Sequence, residues 1–377
     1  MSIYEERLSR VRQRMEEQGV ELLFLSPSPY MFYVTGIRHP HFDVMRLPGD
    51  WLSGVFISLD KGPIFVAHWM LARMVQRVMM PGDLVSEMRA LEQDGDPLAL
   101  LRSVVAEFRL RQKRIAVADH TWTRFTEALR AIVPDARVSL ASELMDMMMA
   151  AQDEEALRRM RKIAEITDAA YQEVVRHLCI GVTEEEMRRE VDYQLRKFGS
   201  EGNSFSTGVF FTRPGDVPPI PGKHLQPGDS VTFDFGGVYE GYSSDFGRAA
   251  FVGEPPAEYL KVHELVLRAQ AEAMKAMKPG QITCEEVDAV ARKVIADQGY
   301  GPNFTHRLGH GISITVHNPP FLDSGDKTVL QSGMTFTVEP SVRVEGRFSN
   351  RVEDVVVVTD EGGVSLNTCP RELYIVD

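Results

Sequence analysis

A repeat within the second half of the chain limits the folds that this sequence can adopt. Two segments, Thr183–Met187 and Thr283–Val287, lie 100 residues apart, and each carries the Thr-x-x-Glu pattern of a helix capping box. Each predicted helix ends at a glycine, Gly199 or Gly299, and these glycines are again 100 residues apart.

A second pair of matching segments follows in the same order. Leu225–Asp234 and Leu330–Glu339 both run from Leu-Gln-x-Gly through an apolar strand to a carboxylate nine residues after the leucine. Two matched pairs predict that the second half contains two copies of one helix-then-strand unit. A pseudo-twofold axis between the copies would bring Asp234 and Glu339 to equivalent positions.

The first 150 residues alternate between helix and strand patterns, which predicts an α/β domain with a mixed sheet. Helical patterns cover residues 5–18, 70–78, 97–108 and 122–132, and strand patterns cover 21–25, 32–35, 54–58, 63–67 and 114–118. A long charged helix begins near Asp153. We therefore expect an α/β domain over 1–150 and an α+β domain with the internal repeat over 151–377.

Charge and cysteine content argue against several classes of protein. The 377 residues carry a net charge of −12, which disfavours a nucleic acid or an anionic membrane as the main partner. No apolar run approaches the roughly 18 residues of a membrane span. Three cysteines are too few and too scattered for a disulfide framework or a cysteine-based zinc site. We expect a cytoplasmic protein.

Five ionisable residues lie in strand-like or glycine-flanked segments of the second domain: Asp234, Asp245, His310, Glu339 and Glu353. A carboxylate buried in a strand needs positive charge nearby, because an unpaired buried charge is costly. Arginine, from Arg351 or Arg343, is one source. Two divalent cations would balance four carboxylates better, and oxygen ligands with one imidazole suit Mn, Co, Zn or Fe(II).

A pair of metal ions in such a site has a defined chemical use. Ions about 3.5–4 Å apart hold a bridging water, lower its pKa and polarise the carbonyl group that it attacks. This is hydrolysis of an amide or ester without a protein nucleophile. The chain has no Gly-x-Ser-x-Gly motif and its cysteines have no activating context, so nucleophilic catalysis is the weaker interpretation.

Motifs around these residues resemble a known family. They are Asp-Phe-Gly-Gly-x-x-x-Gly-Tyr-x-Ser-Asp over 234–245, His-Arg-Leu-Gly-His-Gly-Ile over 306–312, His-Asn-Pro-Pro over 317–320, Gly-Met-Thr-Phe-Thr-Val-Glu-Pro over 333–340 and Arg-Val-Glu-Asp over 351–354. The second domain resembles the pita-bread metallopeptidases, and within them the Xaa-Pro dipeptidases (prolidases) and aminopeptidase P. The first domain resembles the creatinase/prolidase N-terminal domain.

The resemblance implies two divalent ions per subunit, Mn or Co before Zn or Fe, and hydrolysis of the bond before proline in short peptides. The matches of Asp245 and Glu353 bridge both metals, the match of Asp234 chelates one metal, and those of His310 and Glu339 bind the other. The family histidines that match His317 and His306 position substrate and stabilise the tetrahedral intermediate. The match of Glu339 also moves a proton to the leaving amine, and that of Arg351 orients a ligand carboxylate.

The resemblance also implies a homodimer in which the N-terminal domain of one subunit borders the site of the other. The loop Thr35–His41 follows a predicted strand and is rich in arginine and histidine. It is the segment that we expect to reach across, and a solvated loop is the alternative.

The chain departs from the family pattern around the leaving-group side. Val217 stands where the family has a third active-site histidine, Asn318 replaces a glutamate, and Gly247 replaces a threonine. Slower cleavage of Xaa-Pro bonds, with an apolar Xaa preferred, is the expected result. The alternatives are a pita-bread hydrolase or lyase for a non-peptide substrate, such as creatinase-like C–N hydrolysis, and a metal-free binding protein, which the intact ligand set disfavours.

Overall fold

The computed structural model describes residues 2–38, 47, 49–215 and 222–376. Contacts between residues divide the chain into two units, Met1–Met149 and Ala150–Asp377. None of the helices in the described part of the chain is long and apolar enough to cross a membrane.

The first unit has alternating helices and strands around one mixed sheet. Its elements are α1 Ile3–Gln18, β1 Leu22–Leu25, α2 Pro29–Thr35, β2 Gly54–Ser58, β3 Ile64–His68, α3 Trp69–Val78, β4 Glu87–Leu91, α4 Pro97–Ala106, β5 Arg114–Val117, α5 Thr123–Ile132, β6 Arg137–Leu140 and α6 Ser142–Ala150. The strand order is β4-β3-β2-β1-β5-β6. Strand β1 pairs antiparallel with β2 and parallel with β5, so the sheet is mixed as the sequence predicts.

The prediction of a strand over residues 32–35 is wrong, because these residues belong to α2. Ser28 is the N-cap and its hydroxyl accepts from the Met31 N–H, while Pro29 occupies the first helical turn. Gly36 closes the helix at φ 79°. A strong start signal and a strong stop signal therefore outweigh the β-branched and aromatic residues between them.

The second unit contains longer helices and several small sheets. Its elements are α7 Glu154–Val174, α8 Glu184–Lys197, β7 Gly202–Asn203, β8 Gly208–Thr212, β9 Ser230–Phe235, β10 Gly237–Tyr239, β11 Tyr242–Ser243, β12 Phe246–Val252, α9 Ala257–Ala276, α10 Cys284–Ala296, β13 Gly309–Gly311, β14 Asn318–Leu322, β15 Thr335–Val338, β16 Ser341–Val344, β17 Phe348–Arg351, β18 Asp354–Thr359, β19 Gly362–Ser365 and β20 Tyr374–Val376.

The two sequence repeats have equivalent structures. Thr183 and Thr283 each form a complete capping box, with Glu186 and Glu286, at the start of α8 and α10. In the first copy β9 pairs antiparallel with β12, and in the second β15 pairs antiparallel with β18. The helix pair α7–α8 belongs to the first copy and α9–α10 to the second. Each copy therefore supplies two helices and one antiparallel strand pair.

Apolar side chains join each helix pair to its sheet. Phe233 of β9 and Phe246 of β12 contact Tyr171 of α7, with ring centroids 5.5 and 5.2 Å apart.

A short backbone bridge links the two copies: the N–H of Glu353 donates to the carbonyl of Gly247 at 2.9 Å, and the N–H of Gly247 donates to the carbonyl of Glu353 at 3.3 Å. This bridge sets the spacing between the first residues of β12 and β18.

Candidate metal centre

The repeated strand pairs bring four carboxylates to one place. Asp234 lies near the end of β9 and Asp245 directly precedes β12, while Glu339 directly follows β15 and Glu353 directly precedes β18. The pseudo-twofold expectation for Asp234 and Glu339 agrees with these positions. His310 in β13 completes the group, and ligand atoms of Asp245, His310 and Glu353 all lie within 4.8 Å of one another.

The five residues line a pocket of about 490 Å³. The other residues of its wall are Phe205, His306, Arg307, His317, Asp323 and Arg351. The structure thus brings together every predicted ligand and every residue that the sequence analysis placed in catalysis. Phe205, Arg307 and Asp323 were not assigned a role from the sequence. Arg307 stood inside a quoted motif, but nothing in the sequence showed that its side chain lines the pocket.

Two of the carboxylates are deeply buried and incompletely paired. Asp245 is 3% exposed and Glu353 is 1% exposed. Oδ1 of Asp245 and Oε2 of Glu353 have no hydrogen-bond partner among the described residues. Burial raises the pKa of both groups well above the usual range, and neighbouring carboxylates add to the effect. Burial also raises the pKa of Glu339, to about 7. The carboxylates cannot all ionise without added positive charge.

Arginine supplies only part of that charge. Arg351 pairs with Asp234, and its Nη1 lies 3.7 Å from Glu339 and 3.8 Å from Glu353. Burial lowers the pKa of Arg351, but the surrounding carboxylates raise it on balance. Arg343, the other candidate partner, is exposed. One guanidinium facing four carboxylates leaves three negative charges unbalanced.

His310 is oriented by its own backbone. Its Nδ1 lies 3.2 Å from the carbonyl oxygen of Gly311, and since a carbonyl can only accept, Nδ1 carries the proton. The unprotonated Nε2 lies 3.5 Å from Asp245 Oδ2 and 3.5 Å from Glu339 Oε1. Burial lowers the pKa of His310, which keeps the ring neutral. A neutral imidazole whose other nitrogen is hydrogen-bonded is the form that ligates metals.

His306 is held at both ring nitrogens. Nδ1 donates to the carbonyl of Arg307 at 2.7 Å, and Nε2 accepts from the hydroxyl of Ser341 at 2.6 Å. Burial, together with the charge of Arg351, lowers its pKa to about 4. The ring is therefore a neutral group with a fixed tautomer and no free nitrogen. Ser341, two residues after Glu339, was missed by sequence reasoning because the contact spans 35 residues.

His317 is less constrained. Its ring is exposed, its centroid lies 4.1 Å from that of His310, and neither nitrogen has a hydrogen-bond partner among the described residues. It is the last residue of the irregular segment 313–317, directly before β14. Val217 lies outside the described residues. His224 is exposed and its Nδ1 donates to the carbonyl of Gly181, so it does not stand in for a third histidine.

The donor set fits divalent metal ions. It offers four carboxylates and one oriented imidazole nitrogen, with two carboxylate oxygens that are buried and without partners. Oxygen-rich ligation with a single nitrogen suits Mn, Co, Zn or Fe(II). Cations at these positions would remove the unbalanced charge that raises the carboxylate pKa values.

Comparison with known proteins agrees with this geometry. The model of metallopeptidase family M24 matches residues 158–360, and the model of the creatinase/prolidase N-terminal domain matches residues 7–148. The chain is similar to an Xaa-Pro dipeptidase of Lactobacillus delbrueckii subsp. lactis, with 31% identity over 98% of this chain and 98% of the relative. An Xaa-Pro dipeptidase of Pyrococcus horikoshii is 26% identical over 99% of this chain and 100% of its own.

A solved structure extends the similarity to the whole fold. The Xaa-Pro dipeptidase from Bacillus anthracis superposes with a TM-score of 0.86 at 27% identity, covering 99% of this chain and 100% of that one. The family resemblance and the two-domain fold class, with a pita-bread second domain, are confirmed. Because the family model spans more than half of the chain and a relative of 31% identity spans nearly all of it, the chain belongs to metallopeptidase family M24.

Proposed function

We propose that this protein hydrolyses Xaa-Pro bonds in short peptides with two divalent metal ions. The observation that carries the proposal is the pair of buried carboxylate oxygens without partners, on Asp245 and Glu353, at the centre of the carboxylate cluster. Substrate class is supported by the relatives, since two that align along nearly their whole length are Xaa-Pro dipeptidases. Neither these relatives nor the solved structure favours the non-peptide alternative.

The proposed ligands are the five residues of the cluster: Asp234, Asp245, His310, Glu339 and Glu353. Asp245 and Glu353 would hold metal at the centre of the cluster, because the bridge between Gly247 and Glu353 brings the start of β12 beside Glu353 and ligand atoms of the two carboxylates lie within 4.8 Å of each other. Bound metal would supply an activated water and polarise the scissile carbonyl group. The native ion is proposed as Mn or Co, although the same ligands suit Zn and Fe(II).

Side chains of the pocket wall supply the remaining roles. His317 has free ring nitrogens beside His310, so we assign it to substrate positioning and to stabilising the charge that develops on the carbonyl oxygen. Glu339 lines the pocket with its Oε1 3.5 Å from His310 Nε2, and we assign it the transfer of a proton to the leaving amine. Arg351 orients the Asp234 carboxylate. His306 acts as a positioning residue, since both its nitrogens are occupied within the protein.

Elemental analysis combined with a peptide panel tests the proposal. Protein reconstituted with Mn or Co should hold close to two ions per chain and cleave Leu-Pro faster than Leu-Ala or Leu-Gly. The rates should be modest, because one of the family's three histidines is replaced by Val217 and a general acid or positioning group contributes about 10²–10⁴-fold. If the protein binds close to zero ions per chain at saturating Mn or Co, the proposed metal site is wrong.

The peptide panel has a separate negative outcome. If fully loaded protein cleaves no Xaa-Pro peptide but hydrolyses another small amide, the substrate assignment falls and the metal site stands. The panel should therefore include creatine and other non-peptide amides beside the dipeptides, each assayed with Mn, Co, Zn and Fe(II).

We also propose a homodimer in which the first unit of one subunit borders the site of the other. The proposed segment, Thr35–His41, begins at the end of α2, and residues 39–41 lie outside the described part of the chain. Light scattering over a hundredfold range of concentration should give the mass of two chains of 42.4 kDa. A mass of one chain at every concentration would contradict the dimer.

A further inference from the structure

The segment 304–308, here called the His306 loop, carries two residues of the pocket wall, His306 and Arg307. An ion pair on helix α10 holds this loop. Arg292 donates from Nε and Nη2 to the two carboxylate oxygens of Asp288, at 2.9 and 2.8 Å. The Asp288 side chain is only 2% exposed. Because bidentate pairing to a buried carboxylate fixes the plane of a guanidinium, it also fixes the other groups that the guanidinium binds.

Both members of the pair bind the backbone of the His306 loop. Arg292 donates from Nη1 to the carbonyl of Phe304 and from Nη2 to the carbonyl of His306, both at 2.9 Å. Oδ1 of Asp288 accepts from the N–H of Leu308 at 3.0 Å. Alternate residues of the loop, from 304 to 308, are therefore fastened to α10 by side chains.

Arg292 also contacts the aromatic ring that supports the imidazole of His306. Its central carbon lies 4.4 Å from the centroid of the Phe304 ring. The imidazole of His306 meets the same ring nearly at a right angle, with centroids 5.1 Å apart. Phe304 is 2% exposed, so neighbouring atoms enclose it. His306 is thus held at its carbonyl by Arg292 directly and at its imidazole through Phe304.

The last residue of the loop is joined to a proposed metal ligand. The carbonyl of Leu308 accepts from the N–H of Glu339 at 2.9 Å. Two residues further along, the hydroxyl of Ser341 donates to Nε2 of His306. A shift of the His306 loop on α10 would therefore move the imidazole relative to the proposed ligands.

The first repeat holds its own part of the pocket wall from the equivalent position. Asp192 lies nine residues after the capping threonine of α8, as Arg292 lies nine residues after that of α10. Asp192 accepts from Nδ2 of Asn203 at 2.6 Å and from Oγ1 of Thr207 at 2.5 Å. These two residues flank Phe205, which lines the same pocket. Each copy therefore uses this helix position, with opposite charge, to hold a segment of the wall.

We propose that Arg292 is a positioning residue for hydrolysis, which places the imidazole of His306 in the pocket through the His306 carbonyl and the Phe304 ring. This rests on the proposed function, because it assumes that His306 acts in Xaa-Pro cleavage at the metal centre. Arg292 is not one of the described residues that line the pocket, so its effect passes through the His306 loop. A displacement of about 1 Å can cost about 100-fold in rate.

A double-mutant cycle on metal-loaded protein tests this role. We expect Arg292→Met to lower kcat for Leu-Pro by about 10- to 100-fold while the number of metal ions bound per chain stays unchanged. In the His306→Ala background the same change should lower kcat by no more than about threefold, because the residue that Arg292 positions is absent. Arg292→Lys should recover part of kcat, since it keeps the charge pair with Asp288 without the fork that reaches both carbonyls.

Lys293→Met is the matched control, because Lys293 is 73% exposed and pairs with Asp297 on the same helix. It should leave kcat unchanged. If Arg292→Met lowers kcat by the same factor with and without His306, Arg292 does not act through His306 and the proposal is wrong. The proposal is also wrong if the variant loses bound metal in proportion to its activity, or if only its free energy of unfolding falls.

Two further outcomes are separate from these. If Arg292→Met does not fold, Arg292→Lys replaces it in the cycle, and equal losses of kcat in both backgrounds again contradict the proposal. If metal-loaded wild-type protein cleaves no Xaa-Pro peptide, the proposed function fails and this inference fails with it. Cleavage by the wild type with no coupling between Arg292 and His306 overturns this inference alone.

Discussion

Replacing Asp245 by asparagine should remove the metal pair and nearly all hydrolysis, while making the metal-free protein more stable. Asp245 is a proposed ligand at the centre of the cluster, and its replacement would take a charged oxygen ligand from the metal site. Because bound metal supplies several kcal/mol of charge stabilisation, we expect activity to fall by at least about 1,000-fold. Elemental analysis of the variant after saturation with Mn should give well below two Mn ions per chain.

The gain in stability without metal has the same origin as the loss of function. Asp245 is 3% exposed, its Oδ1 has no partner among the described residues, and Asp234 adds repulsion. An asparagine amide removes the charge and can donate to the carboxylate of Glu353. Since a buried unsatisfied group costs about 1–3 kcal/mol, urea unfolding of metal-free Asp245→Asn should show a gain of that order. A site evolved for metal would thus be under strain without it.

The control is Asp360→Asn, a change at an exposed aspartate in the turn between β18 and β19. It should leave the number of metal ions bound per chain unchanged. It should change the free energy of unfolding by no more than about 0.5 kcal/mol. Two ions per chain in Asp245→Asn, with activity retained, would show that the pair does not depend on this carboxylate. A loss of stability in the metal-free variant would show that Asp245 is a structural residue.

Local patterns in the sequence are sufficient to predict where the repeated helices begin and to indicate that the carboxylates share one site. Capping boxes at Thr183 and Thr283 depend on residues within one turn, so they can be read directly. The carboxylates were noticed because charge in an apolar strand is unfavourable without a partner. Equivalent positions in two copies then brought Asp234 and Glu339 to the same site.

Contacts between distant segments could not be predicted in the same way. Ser341 fixes the tautomer of His306 across 35 residues, and Arg307 lines the pocket over the ring of Phe321. Neither residue differs from an ordinary surface serine or arginine in the sequence. Helix α2 differs from the predicted strand for the opposite reason: its β-branched and aromatic residues favour a strand, but its local capping residues Ser28, Pro29 and Gly36 favour a helix.

Arg248 is the clearest example of a residue whose importance only the folded chain reveals. No pattern in the sequence marks Arg248, yet its side chain is 1% exposed and pairs at 2.8 Å with Asp354, which is fully buried. The same guanidinium donates to backbone carbonyls of Gly247, Glu353, Pro370 and Cys369. It therefore joins β12, which follows Asp245, to β18, which follows Glu353.

We expect Arg248→Met to destabilise the protein by about 3–5 kcal/mol, the usual cost of removing one partner from a buried ion pair. Methionine fills similar space, but among the described residues it leaves the Asp354 carboxylate with Arg371 and Gln270 as its side-chain partners. It also removes the side-chain donor to the backbone carbonyls of Glu353, Pro370 and Cys369. Urea unfolding measures the loss. Arg189→Met is the matched control, because Arg189 is 75% exposed and its pair with Glu185 on α8 is worth only about 0.2–0.5 kcal/mol.

Metal affinity distinguishes a general loss of stability from an effect on the site. Arg248 donates to the carbonyl of Glu353, and the bridge between Gly247 and Glu353 lies beside it. If Arg248 holds the two repeats in register, folded Arg248→Met should bind Mn about 10- to 100-fold more weakly, as loss of a group that orients ligands does. If the variant binds metal like the wild type while losing stability, the register of the repeats does not depend on this arginine, and the bridge alone is sufficient to position Asp245 and Glu353.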